Sequence, residues 1–362
     1  MAPGIMKLLI TGICGFVGST LARAIAADGT ATEIVGVDNF SRAGSELNRR
    51  SLQELGIRVI PGDIRNTSDI DNLPKVDWVI DAAANPSVLA GVDGKTSSRQ
   101  LVEHNLGGTI NLLEYCRNRN AGFVLLSTSR VYSIPGLAGL KMEVVDGAFR
   151  PDPSQDFPAG ISLQGVSEAY STAPPVSLYG STKVTSEHLA LEYGQAFQFP
   201  VWINRCGVMA GAGQFGHPAQ GIFSYWIHSF RERSTLKYIG FGGMGHQVRD
   251  CLHPRDLVPL LRRQWAEPVD SSKTRVINVS GGTQSSMSLQ QLTGWCESRY
   301  SGMKIHVVGD NRPFDIPWMV LDPSECMEIW RWRPKTSIEN ILDEIANHAD
   351  ENSGWLSLSM NH

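Results

Sequence analysis

The chain has 362 residues, 42% of them apolar and 19% charged, with a formal net charge of −4, the profile of a soluble globular protein long enough to bury a sizeable core. No Lys/Arg block marks a nucleic-acid partner, and no apolar run approaches the roughly 20 residues of a membrane span. The first apolar strand begins so early that a signal peptide has no room, which makes the expected location cytoplasmic.

Residues 7–11 form a short apolar run of strand length, followed by Gly12, Gly15 and Gly18 at the spacing G-x-x-G-x-x-G. Residues 19–27 alternate apolar and polar side chains at helical spacing. A second apolar run, 34–37, ends on Asp38, twenty residues after Gly18. Glycines at this spacing let the backbone turn tightly and approach a pyrophosphate at a helix N-terminus, and the acid accepts hydrogen bonds from an adenosine ribose while repelling a 2′-phosphate. Strand, loop, helix, strand and acid in that order predict an NAD site, with a merely structural turn as the alternative. Arg42 is the nearby group that would suit a 2′-phosphate instead. A polar loop and a short helix lead to a third strand at 58–60, closed by Pro61-Gly62-Asp63-Ile64, and a fourth at 78–81. Ala82, Ala83 and Ala84 follow, small enough to leave space for a flat cofactor. Leu101, Val102, Leu106, Ile110, Leu113 and Cys116 predict a helix over 99–119, and a fifth strand at 123–126 runs into Ser127-Thr128-Ser129. This alternation predicts an α/β fold, a doubly wound parallel sheet.

Residues 133–172 break the rhythm, being dense in proline and glycine. They are read as a flap over the substrate, the alternative being a surface insertion. Residues 177–197 predict a strong helix and 201–204 a sixth strand. Beyond Gly207 the pattern is irregular with only short helices, which predicts a smaller mixed α/β lobe, some of whose segments return to the first. The expected division is 6–206 for the cofactor, with 133–172 inside it, and 207–350 mainly for the substrate. Cys14, Cys116, Cys206, Cys251, Cys296 and Cys326 contain no C-x-x-C pair, so reduced thiols are expected, and nine histidines without ligand spacing predict no metal site.

Tyr179 and Lys183 stand four apart on the predicted helix, so both lie on one face. A phenol normally holds its proton until about pH 10; a nearby ammonium and a positive nicotinamide ring stabilise the phenolate. Such a tyrosine takes a proton from a sugar hydroxyl while hydride leaves the carbon, with Thr128 aligning the hydroxyl. An exposed helix pair is the alternative.

With these residues in place, the sequence resembles the extended short-chain dehydrogenase/reductases of the nucleotide-sugar epimerase/dehydratase group, over about residues 7–341. The likeness rests on the T-G-x-x-G-x-x-G run at 11–18, on Asp38, Asp63-Ile64 and Asn105, and on the triad Thr128, Tyr179 and Lys183. An R-D-x-x-H-x-x-D element (Arg249, Asp250, His253, Asp256) and an R-x-x-D element (Arg312, Asp315) complete it. The resemblance implies a Rossmann fold with NAD held by Gly12, Gly15, Phe16, Val17, Gly18, Asp38, Asn39, Ser41, Arg42, Asp63, Ile64, Ala82, Ala83, Ala84, Asn105, Ser127, Tyr179 and Lys183. It implies a nucleotide-sugar substrate met by Asn85, Ser129, Arg130, Gln214, Gln220, Arg249 and Arg312. Arg249 and Arg312 would approach the diphosphate, structural ion pairs being the alternative. A homodimer is implied too, paired through the helices after Asn105 and Tyr179.

Ser129 and Arg130 stand where 4,6-dehydratases carry the Asp-Glu pair for elimination, and Arg130 where UDP-glucuronate decarboxylases carry a glutamate. A basic residue there is similar to the CDP-paratose 2-epimerases, as are Asn39-Phe40-Ser41-Arg42, Gly44-Ser45, Gly213-Gln214-Phe215, Gln220-Gly221 and Gln247-Val248-Arg249-Asp250. The chain departs from that group at Ala210, at Pro317-Trp318 and at Ala82-Ala83-Ala84. The resemblance implies an isomerase that inverts C2 of a CDP-hexose by transient oxidation to a keto sugar. Alternatives are a nucleotide-sugar 4-epimerase, a net dehydrogenase or reductase, and a non-catalytic dinucleotide-sensing scaffold, which typically lacks the tyrosine or the lysine.

Overall fold

The computed structural model describes residues 6–29, 32–92, 94, 97–218, 220–310 and 312–360. Short apolar runs become strands buried on both faces, as strands of a parallel sheet covered by helices must be. These are β1 (Met6–Thr11), β2 (Thr32–Asp38), β3 (Arg58–Pro61), β4 (Trp78–Asp81) and β5 (Gly122–Thr128), joined by Val201–Cys206 and Val276–Val279. Across the seven-stranded sheet the order is Val276–Val279, Val201–Cys206, β5, β4, β1, β2, β3, and every neighbouring pair is parallel. The chain steps outward from β1 to β2 and β3, then returns to pair β4 on the other side of β1. That reversal opens a crevice at the carboxyl ends of β1 and β4, the usual place for a ligand in such a sheet.

Period-two alternation sends Leu8, Ile10, Ile80, Val124 and Trp202 to one buried face and Leu9, Val35, Val79, Leu125 and Ile203 to the other. Helix α1 (Phe16–Ala27) contributes Leu21, Ala22 and Ile25 to the first, while Leu112, Leu113 and Cys116 from Gly108–Arg119 and Ala190 from Ser177–Phe197 cover the second. The helix predicted over 99–119 is one rod in three pieces: Ser98–Val102, a π-helical turn Glu103–Gly107, and Gly108–Arg119. Asn105 sits buried in the π turn, a distortion often found at functional sites.

Residues 133–172 fold into a short helix, Ile134–Ala138, and two hairpins, Met142–Val145 with Ala148–Pro151 and Ile161–Ser162 with Gly165–Val166. Tyr132, Leu137, Ile161, Val166 and Tyr170 pack there against Val248, Ile316 and Trp318, giving the segment its own core. Strands of two to four residues are too short to display a period, which is why the sequence reads as loop. The expectation of only short helices after Gly207 is corrected: Ile222–Glu232, Leu289–Arg299 and Ile338–Glu351 run for 11, 11 and 14 residues. Their apolar stripes meet in a cluster of Trp226, Ile227, Phe230, Leu292, Ile341, Leu342 and Ile345. The signal was present in Ile338, Ile341, Leu342, Ile345 and Ala349, spaced three and four apart, but lies among irregular Gly- and Trp-rich stretches that hide it.

Candidate active site

The crevice is shaped for a dinucleotide. Gly12 takes φ +60°, and a Cβ there would lie 3.1 Å from the Ala83 Cα; a Cβ on Gly18 would lie 2.3 Å from the Gly12 carbonyl oxygen. Only glycine permits that turn and that approach. Gly15 caps α1 without a side chain, so no side chain claims the helix's first amides. Thr11 ties the loop to the end of β4: its hydroxyl donates to Asp81 Oδ1 at 2.8 Å and accepts the amides of Ala82 and Ala83 at 3.1 and 3.0 Å. Asp38 is buried at the end of β2 and accepts the amides of Cys14 and Phe40, both at 2.8 Å. Burial raises its pKa against those hydrogen bonds.

Asn39, Asp63 and Ile64, expected at the cofactor, are already paired within the chain. Asp63 is gripped by the Arg65 guanidinium, with Nη2 at 2.6 Å, and receives Asn39 Nδ2 at 3.1 Å, so its carboxyl is held well below the usual range. Asn39 also accepts the Ser41 amide at 3.0 Å, and the Ile64 carbonyl accepts Asn111. A depression of about 700 Å³ lined by Asp63, Arg65, Glu103 and Asn111 opens here and shares no residue with the triad. Arg42 points elsewhere: it donates to the Phe215 carbonyl at 2.6 Å and reaches Gln220 Oε1 at 3.4 Å. Ser127 donates to Glu187 Oε1 at 2.5 Å. Asn105 bridges two elements, accepting the Asn85 amide at 2.8 Å and donating to the Asn85 carbonyl and Thr182 Oγ1 at 3.1 and 3.2 Å.

Thr128 ends β5 and Tyr179 and Lys183 stand on Ser177–Phe197, the tyrosine and lysine both buried. Burial pushes the Tyr179 phenol up to about 12, opposed by the neighbouring Thr128 hydroxyl and by the charge of Arg130. Lys183 Nζ donates to the Leu126 carbonyl at 3.2 Å; burial lowers its pKa, while Asp81 and Glu187 raise it. Glu187 is locked to Arg205 at 2.6 Å, and Arg205 continues to Tyr132 at 3.2 Å. Glu187 and Asp81 were missed in the sequence, though Glu187 falls four residues after Lys183 on the same helix face.

On the substrate side, Arg249 pairs with Asp315 at 3.1 Å, and Asp315 also accepts the Ile316 amide. Arg130 donates to the Phe314 carbonyl at 3.3 Å, and burial together with Arg249 pulls its pKa down to about 10. Phe314 holds φ +62° to present that carbonyl, a conformation with no sequence signature in a phenylalanine. Arg312 donates to the Pro218 carbonyl at 3.0 Å, and Gln214 Nε2 donates to the Met209 carbonyl at 2.8 Å. Ser129 is buried in the turn that carries Arg130. The R-D-x-x-H-x-x-D element splits in two: Arg249 faces Arg130, whereas its neighbours fasten the chain. Asp250 accepts the Val208 and Leu321 amides, His253 accepts the Arg255 amide, and Asp256 accepts those of Lys335 and Thr336.

The family model described as the NAD dependent epimerase/dehydratase family matches residues 8–280. The CDP-paratose 2-epimerase of Salmonella typhi is 28% identical over 358 residues, covering 94% of this chain and 98% of that protein. UDP-glucuronate 4-epimerase 2 of Arabidopsis thaliana is 29% identical over 94% of this chain and 75% of its own. Among solved structures, the UDP-glucuronic acid 4-epimerase from Bacillus cereus in complex with UDP-glucuronic acid and NAD superposes with a TM-score of 0.74 at 26% identity, covering 96% of this chain and 99% of that one.

Proposed function

Because the chain belongs to the NAD dependent epimerase/dehydratase family, with NAD as its cofactor, we propose that it inverts C2 of a CDP-hexose. The coarser class, an NAD-dependent nucleotide-sugar isomerase, follows from the family and the fold. The observation that carries the finer reading is Arg130 beside the triad, in a chain that runs along the CDP-paratose 2-epimerase for 94% of its length. Ser129 and Arg130 offer no acid–base pair for an elimination.

When bound, NAD supplies the hydride acceptor that takes the hydrogen from the sugar carbon and returns it. The protein's residues do the rest. Thr128 and Tyr179 hold the reacting hydroxyl, and Tyr179 receives its proton as the carbonyl forms. After the sugar has turned over, Tyr179 would give the proton back to the same oxygen as the carbonyl is reduced from its other face, so the product keeps every atom of the substrate. Arg249 and Arg312 suit the diphosphate as bidentate donors, holding it while the hexose turns. Residues 6–206 would mainly serve the cofactor and 207–350 the nucleotide sugar. The six buried, unpaired thiols suit a reducing cytoplasm. Exposed Val102 and Leu178 support a homodimer paired through their helices.

The test is proton NMR of the purified protein with CDP-paratose, CDP-glucose and UDP-glucose, without added NAD. Inversion at C2 of a CDP-hexose is the expected outcome. Inversion at C4 would replace this reading with the 4-epimerase one, which the likeness to UDP-glucuronate 4-epimerases favours. Net NADH release during steady turnover would instead indicate a dehydrogenase.

A further inference from the structure

We propose that Arg42, which the sequence places in the cofactor loop, is a positioning residue for the nucleotide sugar: its guanidinium clasps the turn between Phe215 and Gln220 to the loop that follows β2. This rests on the reading of the substrate as a nucleotide sugar. Arg42 stands four residues after Asp38, where a cation would suit a 2′-phosphate. The structure spends it elsewhere. Nη2 donates to the Phe215 carbonyl at 2.6 Å and Nη1 to Gln220 Oε1 at 3.4 Å, partners 173 and 178 residues further along the chain. A donor that carries charge makes such bonds about twice as strong as neutral ones.

The turn is closed on itself, since His217 and Gln220 exchange backbone hydrogen bonds at 2.8 and 2.9 Å, so a hold at Phe215 and Gln220 fixes it at both ends. Packing repeats the contact. Gly44, two residues after Arg42, has φ +84°, and a Cβ there would lie 2.7 Å from the Phe215 ring, so glycine is what lets the loop lie against that ring. Arg312, from the second half of the chain, holds the same turn through the Pro218 carbonyl at 3.0 Å. Arg312 is shared between this carbonyl and the proposed diphosphate, whereas Arg42 is committed to the turn. Arg42 also orients Gln220. A guanidinium only donates, so it takes the amide oxygen and leaves Nε2, a donor suited to the acceptor oxygens of a nucleotide, as the end for a ligand. One side chain thereby joins the loop after Asp38 to the turn that carries a substrate contact.

The experiment measures calorimetric binding of CDP and of UDP to the purified holoenzyme, for the wild type, Arg42→Met and Arg42→Lys. The cofactor released on denaturation is identified and counted in the same samples. For the nucleotide that the wild type binds more tightly, Kd should rise about tenfold in Arg42→Met and about threefold in Arg42→Lys, which can still reach one oxygen. The released cofactor should stay NAD, in the wild-type amount, because Arg42 is spent on the turn. A Kd within about twofold of the wild type in Arg42→Met would overturn the proposal, and loss of NAD or a gain of NADP alongside it would return Arg42 to the cofactor. Parallel losses of NAD and of nucleotide affinity would overturn it as well, as a loosening of the fold. Should Arg42→Met fail to fold, Arg42→Lys decides the matter by the same Kd, a wild-type value overturning the proposal. A wild type that binds neither CDP nor UDP would overturn the nucleotide-sugar reading itself, and this inference with it.

Discussion

Single residues carry the chemistry here through the partners their charges find. Glu187 is the clearest case: it sits under the triad, accepts Ser127, and holds Arg205 in a buried pair. Glu187→Ala would leave Arg205 buried and unpaired, and denaturant unfolding should show a loss of about 3–5 kcal/mol. Glu168 carries an opposite lesson. It accepts the Asn278 amide at 2.5 Å, yet burial pushes its carboxyl from 4.5 up to about 7. Its folded pKa exceeds its unfolded one, so its contribution to stability is complete below about pH 4.5 and is lost as pH rises through about 7. Glu168→Gln should therefore melt near the wild type at about pH 4.5 and above it at about pH 8. Tyr179, Lys183 and Thr128 were legible as spacing because the pattern lies in the side chains themselves, two buried four apart on Ser177–Phe197 and one ending β5. The targets of Arg42, Arg130 and Arg312 were not, since each is a backbone carbonyl that any residue could offer.

At the scale of elements, the loop segment 211–218 is held from three directions. Arg42 grips its Phe215 carbonyl, Arg312 its Pro218 carbonyl, and Trp355 Nε1 its Gln214 carbonyl at 3.0 Å. Trp355 also stacks on Phe215 with ring centroids 5.1 Å apart. The last described helix, Trp355–Met360, is thereby a support for a loop that carries two proposed substrate contacts, Gln214 and Gln220. Trp355→Leu should raise KM for the nucleotide sugar by about three- to tenfold with a smaller change in kcat, measured in steady-state assays once the substrate is known. Sequence reading found six of the seven strands of the parallel sheet because each is an apolar run with a turn after it. It missed the support because the Trp355 contact spans 141 residues and joins an aromatic ring to a carbonyl.

For the whole molecule, two distant helices meet through a pair of imidazoles. His228 on Ile222–Glu232 and His348 on Ile338–Glu351 lie 3.4 Å apart, and burial pulls His228 down to about 4. Its folded pKa is below its ordinary 6.5, so its contribution is complete above about pH 6.5 and is lost as pH falls towards 4. The melting temperature should drop over that interval, and His228→Gln should flatten the slope. The cofactor crevice was legible because glycine spacing and a terminal acid dictate it locally, while the seventh strand, Val276–Val279, was not, because its place depends on Val201–Cys206 being there to receive it. That strand belongs to the half of the chain after Gly207 yet pairs Ile203 with Val276 and Cys206 with Val279. A chimera joined at residue 206 would therefore exchange an edge strand of the seven-stranded sheet along with the rest of the second half. Recombination between relatives would have to inherit residues 276–279 with the first half, or accept a sheet edge left open to other chains.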